Sequence, residues 1–136
     1  EKSLNIAPKE VYKSRDYVLV YDTEEEIKNI KINRQLFDQI NLDTGGVIVT
    51  SKGTTCDFVS RFFTPQASIL EDPVTGSAHA ALGVYWSRAI RKNKLKAYQA
   101  SERGGVIWLE VTDNRINIIG NAITYMKAEI RITHVD

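Results

Sequence analysis

Cysteine occurs once in the sequence, at Cys56, so the chain can close no disulfide within itself. A lone thiol suits a reducing compartment, which points to the cytoplasm. The two histidines and that cysteine stand too far apart to make a metal-ligand spacing, so no metal is expected. Neither sign of charge dominates: 18 Lys and Arg against 17 Asp and Glu leave a formal net charge of +1. That balance gives no electrostatic reason to expect nucleic acid or an acidic membrane as a partner. The densest basic stretch, Arg88, Arg91, Lys92, Lys94 and Lys96, reads as a solvated helix end whose charge suits the helix dipole. No apolar run approaches the ~18 residues of a membrane span, and no basic start leads into an apolar stretch as a secretory signal would. Methionine is nearly absent too. The only one is Met126 and the chain opens on Glu1, which reads as a fragment, a processed product or a trimmed piece of a longer polypeptide.

The rest is an ordinary globular composition, 43% hydrophobic and 26% charged over 136 residues, enough for one domain with a real core. Residues 1–14 are mixed and polar and read as a lead-in or linker, with a single domain over 15–136. Tyr17 to Tyr21 is a dense β-forming run. Asp22 and Thr23 offer N-cap oxygens, and Glu24, Glu25 and Glu26 favour the first turn of a short helix reaching about Asn29. Leu36, Phe37 and Ile40 mark a second helix over 33–40. Strands follow at 47–50 and 56–63, then an irregular stretch over 64–75. Residues 77–91 predict the longest helix. It is apolar nearly all round, which predicts a buried helix. Four strands close the chain, at 95–100, 105–111, 115–119 and 122–132, with Asp113-Asn114 as a hairpin turn. The class is α+β, and a sheet wrapped around one central buried helix would explain why that helix is apolar on every side.

The segment Glu71-Asp72-Pro73-Val74-Thr75-Gly76-Ser77-Ala78-His79 carries the most chemistry. Pro73 fixes its own φ and pushes Asp72 toward an extended conformation. Thr75 or Ser77 can cap the helix that follows, and Gly76 lets a ligand approach the backbone. The first N–H groups of that helix, with its dipole, suit an anion such as a carboxylate. Asp72 just upstream and His79 just inside could then give or take a proton beside it. The same residues also fit a structural loop, an Asp-Pro turn before a capped helix with a packed histidine. Gly45-Gly46 and Gly104-Gly105 lie outside any phosphate- or dinucleotide-binding pattern. Ser77 lacks the second glycine of a nucleophile elbow.

EDPVTGSAH at 71–79, DFVSRFFTP at 57–65 and YQASERGG at 98–105, in that order and spacing, resemble the signature blocks of the PhzF-like (phenazine-biosynthesis) family. YVLVY at 17–21 suits the strand that opens that family's second domain. The resemblance implies the C-terminal half of a two-domain protein with the diaminopimelate-epimerase-like fold, each domain a β-rich roll or barrel around a central helix and the active site between them. It implies cofactor-free proton transfer on a small carboxylic acid, an isomerisation or epimerisation. Asp72 would be the catalytic acid/base or orienting carboxylate. Gly76 and Ser77 would bind substrate, His79 would stand behind them, and Arg103 would line the cleft or brace the loop through Glu71 or Asp72. The catalytic glutamate would belong to the missing N-terminal domain, so this chain alone would be inactive. A second copy paired through the same surface could take that domain's place. A non-catalytic protein-binding module of the same family is the alternative.

Overall fold

Tyr17–Val20 is apolar at every position because the sheet it belongs to is covered on both faces. In the computed structural model of the protein, which describes residues 2–43 and 45–132, the strands are β1 (Glu10–Lys13), β2 (Tyr17–Val20), β3 (Val47–Lys52), β4 (Phe58–Phe63), β5 (Glu71–Asp72), β6 (Lys94–Gln99), β7 (Gly105–Val111) and β8 (Ile116–Ile119). The helices are α1 (Glu24–Asn29), α2 (Arg34–Phe37) and α3 (Gly76–Ala89). The mixed sheet runs β1-β2-β3-β4-β6-β7-β8, with β5 added to β4. The pairs β2–β3 and β4–β6 are parallel and the rest antiparallel. The class is α+β, as expected. No helix among the described residues is long and apolar enough to cross a membrane.

Side chains alternate across the strands and so build two cores. Val18, Val20, Ile48, Phe58, Phe62, Leu95, Ala97, Ile107 and Leu109 face α3 and meet Ala78, Leu82 and Trp86. Leu19, Tyr21, Val47, Val49, Val59 and Phe63 face the other way, onto Ile27 and Ile30 of the α1 segment and Phe37 of α2. Thr23 caps α1 in the expected manner, with Glu26 returning the bond to form a capping box.

The lead-in expected over 1–14 holds a strand: β1 pairs with β2 through a turn closed by Ser14 N–H to the Asp16 carbonyl, and Leu4 bridges to Ile32. Its signal was faint because β1 is an edge strand with Val11 and Tyr12 half exposed. Three expectations need correction. The second helix is only Arg34–Phe37, capped by Asn33 and ended at Asp38. Residues 122–132 form no strand. Ile123, Tyr125 and Ile130 lie open to solvent there, since the alternation finds no neighbouring strand to pair with. Helix α3 is one-sided, with Ala78, His79, Leu82, Gly83 and Trp86 buried and Val84, Arg88 and Ala89 exposed. Val84 and Ala89 face outward beside Arg88, and nothing in the described chain covers them.

Candidate active site

The strand β4 shares one edge between two partners, and the site lies where they part. Phe58, Val59 and Ser60 pair with Ala97, Tyr98 and Gln99 of β6, whereas Phe62 and Phe63 pair with Asp72 and Glu71 of β5. Asp72 and Gln99 therefore end up on adjacent strand ends. Asp72 lies opposite Phe62, on the α3 side of the sheet, and Glu71 opposite Phe63, on the α1 side.

Asp72 is half-buried. Its Oδ2 accepts the Thr75 hydroxyl at 2.6 Å, and Oδ1 has no hydrogen-bond partner among the described residues. Thr75 occupies the N-cap position of α3, but its side chain makes no capping bond. The first N–H groups of the helix consequently meet no capping side chain. Gly76 and Ser77 sit exposed at this terminus. A Cβ on Gly76 would meet nothing within 4 Å, so packing within the chain places no demand for glycine there.

Two residues that the sequence did not single out complete the constellation. Arg15 reaches across 62 positions to donate from Nη2 to Ser77 Oγ at 3.1 Å, while pairing with buried Asp16 at 3.0 Å. Asp16 is itself held by the Gly46 N–H at 2.8 Å. Gly45-Gly46 is thereby explained: a Cβ on Gly45 would strike the Arg15 carbonyl, and one on Gly46 the Phe62 ring. Gln99, fully buried, accepts the Thr75 N–H and donates to the Asp72 carbonyl, both at 2.7 Å. Its place was detectable, since Leu95, Ala97 and Gln99 form the inward register of β6.

His79 is also fully buried and lies behind the loop, not open to the cleft. Its Nδ1 donates to the Thr75 carbonyl at 2.7 Å, which leaves Nε2 to face the Ser60 hydroxyl at 3.4 Å. Its ring stacks on Phe58. Burial pushes its pKa down from the ordinary 6.5, outweighing the opposing effect of the Thr75 bond. The unfolded chain therefore takes up the proton first, and this contribution to stability is complete above about pH 6.5 and lost as the pH falls below it. Urea midpoints at pH 7.5 and 5.5 should drop for the wild type across that window, and the His79→Gln variant should show a flatter dependence.

Arg103 is exposed and lines a cleft of about 420 Å³ with Glu71, Pro73, Ser101 and Glu102. It braces neither Glu71 nor Asp72. The brace on Glu71 is Arg61, with bonds of 2.7 and 2.9 Å. The Tyr98–Gly105 turn is tied to the loop by Ser101, whose hydroxyl donates to the Pro73 carbonyl at 2.7 Å and accepts the Gly104 N–H at 3.1 Å. Gly104 has φ +69°, and a Cβ on Gly105 would collide with Val74, so this turn needs both glycines to close against the loop.

Residues 2–128 match the family described as phenazine biosynthesis-like protein, PhzC-PhzF. The chain belongs to this family. It is 44% identical over 130 residues to an uncharacterized isomerase of Halalkalibacterium halodurans, covering 93% of this chain and 48% of that protein. Among solved structures it resembles a PhzC/PhzF protein from Clostridium difficile, with TM-score 0.83 and 41% identity over 93% of this chain and 49% of that one. A PhzF-family protein from Enterococcus faecalis gives TM-score 0.81 and 43% identity, over 88% and 45% of the two chains. The chain thus spans about half the length of these PhzC-PhzF relatives.

Proposed function

We propose that this chain forms one side of the active site of an isomerase that moves a proton on a small carboxylic acid without a cofactor. The other side would come from a further domain, or from a second copy facing the start of α3. The observation that carries the reading is the uncapped N-terminus of α3, set between Arg15, the Ser77 hydroxyl and Asp72. An isomerase name on the Halalkalibacterium relative agrees with it.

In this reading the N–H groups of Gly76 and Ser77 hold the substrate carboxylate, and the Arg15 guanidinium adds positive charge beside it. Binding this group aligns the neighbouring carbon with the free Oδ1 of Asp72. The C–H proton passes to Oδ1, and the electron pair it leaves is delocalised toward the bound carboxylate, where the helix dipole and Arg15 stabilise the added charge. A second acid/base group on the facing side, the glutamate that the family resemblance implies, returns a proton at the other carbon or the other face. His79, out of reach behind the loop, holds Thr75. Arg103 lines the outer cleft and touches the distal part of the substrate.

The exposed strip of Tyr12 and Val84, on the α3 side of the sheet, suits contact with the facing domain or copy. A non-catalytic binding module would use that strip alone and would leave the open helix terminus without a task.

Benzoate added to the isotope-labelled protein tests the site. The amide signals of Gly76 and Ser77 should shift saturably. Gly76→Ala should fold with equal or slightly greater stability, since alanine is the better helix former by up to about 1 kcal/mol, yet bind benzoate about tenfold more weakly because the methyl stands between anion and backbone. Unmoved amides at Gly76 and Ser77 would sink the carboxylate assignment.

A further inference from the structure

The hydroxyl of Thr75 sits at a helix start and does not cap the helix. Giving up such a cap typically costs about 1 kcal/mol. Local rules are broken in this way where a site needs the group for something else, and the hydrogen bonds around it show what that is.

Gln99 has only one workable orientation. Its Oε1 faces the Thr75 N–H, which can only donate, and its Nε2 faces the Asp72 carbonyl, which can only accept. Flipping the amide would set donor against donor and acceptor against acceptor. The second hydrogen on Nε2 then points to Thr75 Oγ1, 3.2 Å away. Oγ1 is therefore an acceptor toward Gln99, and its single hydrogen is left for Asp72 Oδ2 at 2.6 Å. The Gln99 amide is buried, so no water competes for it, and each bond in such a chain polarises the next. His79 adds a third hold on the same residue through the Thr75 carbonyl.

We propose that Gln99 is a positioning residue for the reaction. Through Thr75 it forms a one-way hydrogen-bond relay that keeps Oδ2 of Asp72 an acceptor and leaves Oδ1 as the oxygen that exchanges a proton with substrate. The role given to Oδ1 rests on the isomerase reading; the relay itself does not. The relay makes Asp72 a defined proton acceptor on one oxygen, the one that Thr75 does not hold.

NMR of the labelled protein tests it without a substrate. A hydrogen-bond coupling from the Thr75 amide nitrogen to Gln99 Cδ should be present, and its absence would mean that the amide is flipped. In mixed H₂O and D₂O, Asp72 Cγ should show an isotope effect from the Thr75 hydroxyl. Thr75→Ser should keep that effect and Thr75→Val should abolish it. Gln99→Met should speed exchange of the Thr75 hydroxyl about tenfold or more, by removing the bond that orients it. Survival of the isotope effect in Thr75→Val, its loss in Thr75→Ser, or unchanged hydroxyl exchange in a folded Gln99→Met protein would each overturn the relay. Should Gln99→Met fail to fold, the coupling and the Thr75 pair decide. None of these results depends on benzoate binding, so the relay and the carboxylate site can fail separately.

Discussion

Replacing Asp72 by Asn in the full-length protein is expected to lower kcat of the proposed isomerisation by about 10²- to 10⁴-fold, the usual contribution of a positioned acid/base group, with little change in KM. The split follows from the division of labour at the site. Binding is assigned to the N–H groups of Gly76 and Ser77 and to Arg15, none of which involves the Asp72 side chain. Asparagine has nearly the shape of aspartate, and its carbonyl oxygen can still accept the Thr75 hydroxyl that Oδ2 accepts now. The loop should therefore hold its place, and thermal unfolding should shift little. The loss would be confined to proton transfer, because an amide in the Oδ1 position cannot take up a proton near neutral pH. The direct measurement is deuterium uptake from D₂O into the substrate, beside kcat and KM. A rate within a few-fold of wild type would demote Asp72 to an orienting group. A collapse of both KM and stability would show that the variant had broken the loop and would say nothing for catalysis.

Much of the frame around Asp72 could be read from the residues, and the parts that could not share a physical cause. Helix α3 and the strands β2, β3, β4, β6 and β7 carry dense or alternating apolar patterns that burial imposes locally. The strand β5 is two residues long and exists only because β4 offers it a free edge beyond Ser60. No local pattern encodes that. The segment 122–132 shows the converse, an alternation without a partner strand. At the site, the EDPVTGSAH loop was legible because its signals lie close together in sequence. Arg15 was not, because its meeting with Ser77 is made by the sheet that sets the β1–β2 turn beside the start of α3. Gln99 lies between these cases: the inward register of β6 marked it as a buried polar side chain, and only the fold shows what it holds.

Arg61→Ala should destabilise the protein by about 3 kcal/mol, read as a lower urea midpoint and a thermal midpoint down by roughly 10 °C. The family resemblance offered Arg103, in the YQASERGG block, as a brace for the loop, but strand geometry favours Arg61. Side chains two apart on a strand share a face, so Arg61 lies on the same side of β4 as Phe63, and Glu71 is the residue opposite Phe63. The two are diagonal neighbours and form a bidentate pair on the α1 side of the sheet. Nη1 meanwhile donates to the carbonyls of Ile27 at 3.1 Å and Ile30 at 3.0 Å, at the end of α1. The guanidinium also lies over the Phe63 ring. Removing it strands a largely enclosed carboxylate and two helix-end carbonyls together, which sets the size of the loss. Lysine keeps the charge but cannot fork to Glu71 while serving both carbonyls, so Arg61→Lys should recover less than half of the stability. An Arg61→Lys protein as stable as wild type would show that charge alone is needed and the forked geometry is idle. The effect should also travel, because Glu71 precedes Asp72 on the same short strand. Freed from Arg61, β5 loses the hold on its α1 side, and the benzoate-induced shifts at Gly76 and Ser77 should weaken even where Arg61→Ala stays folded.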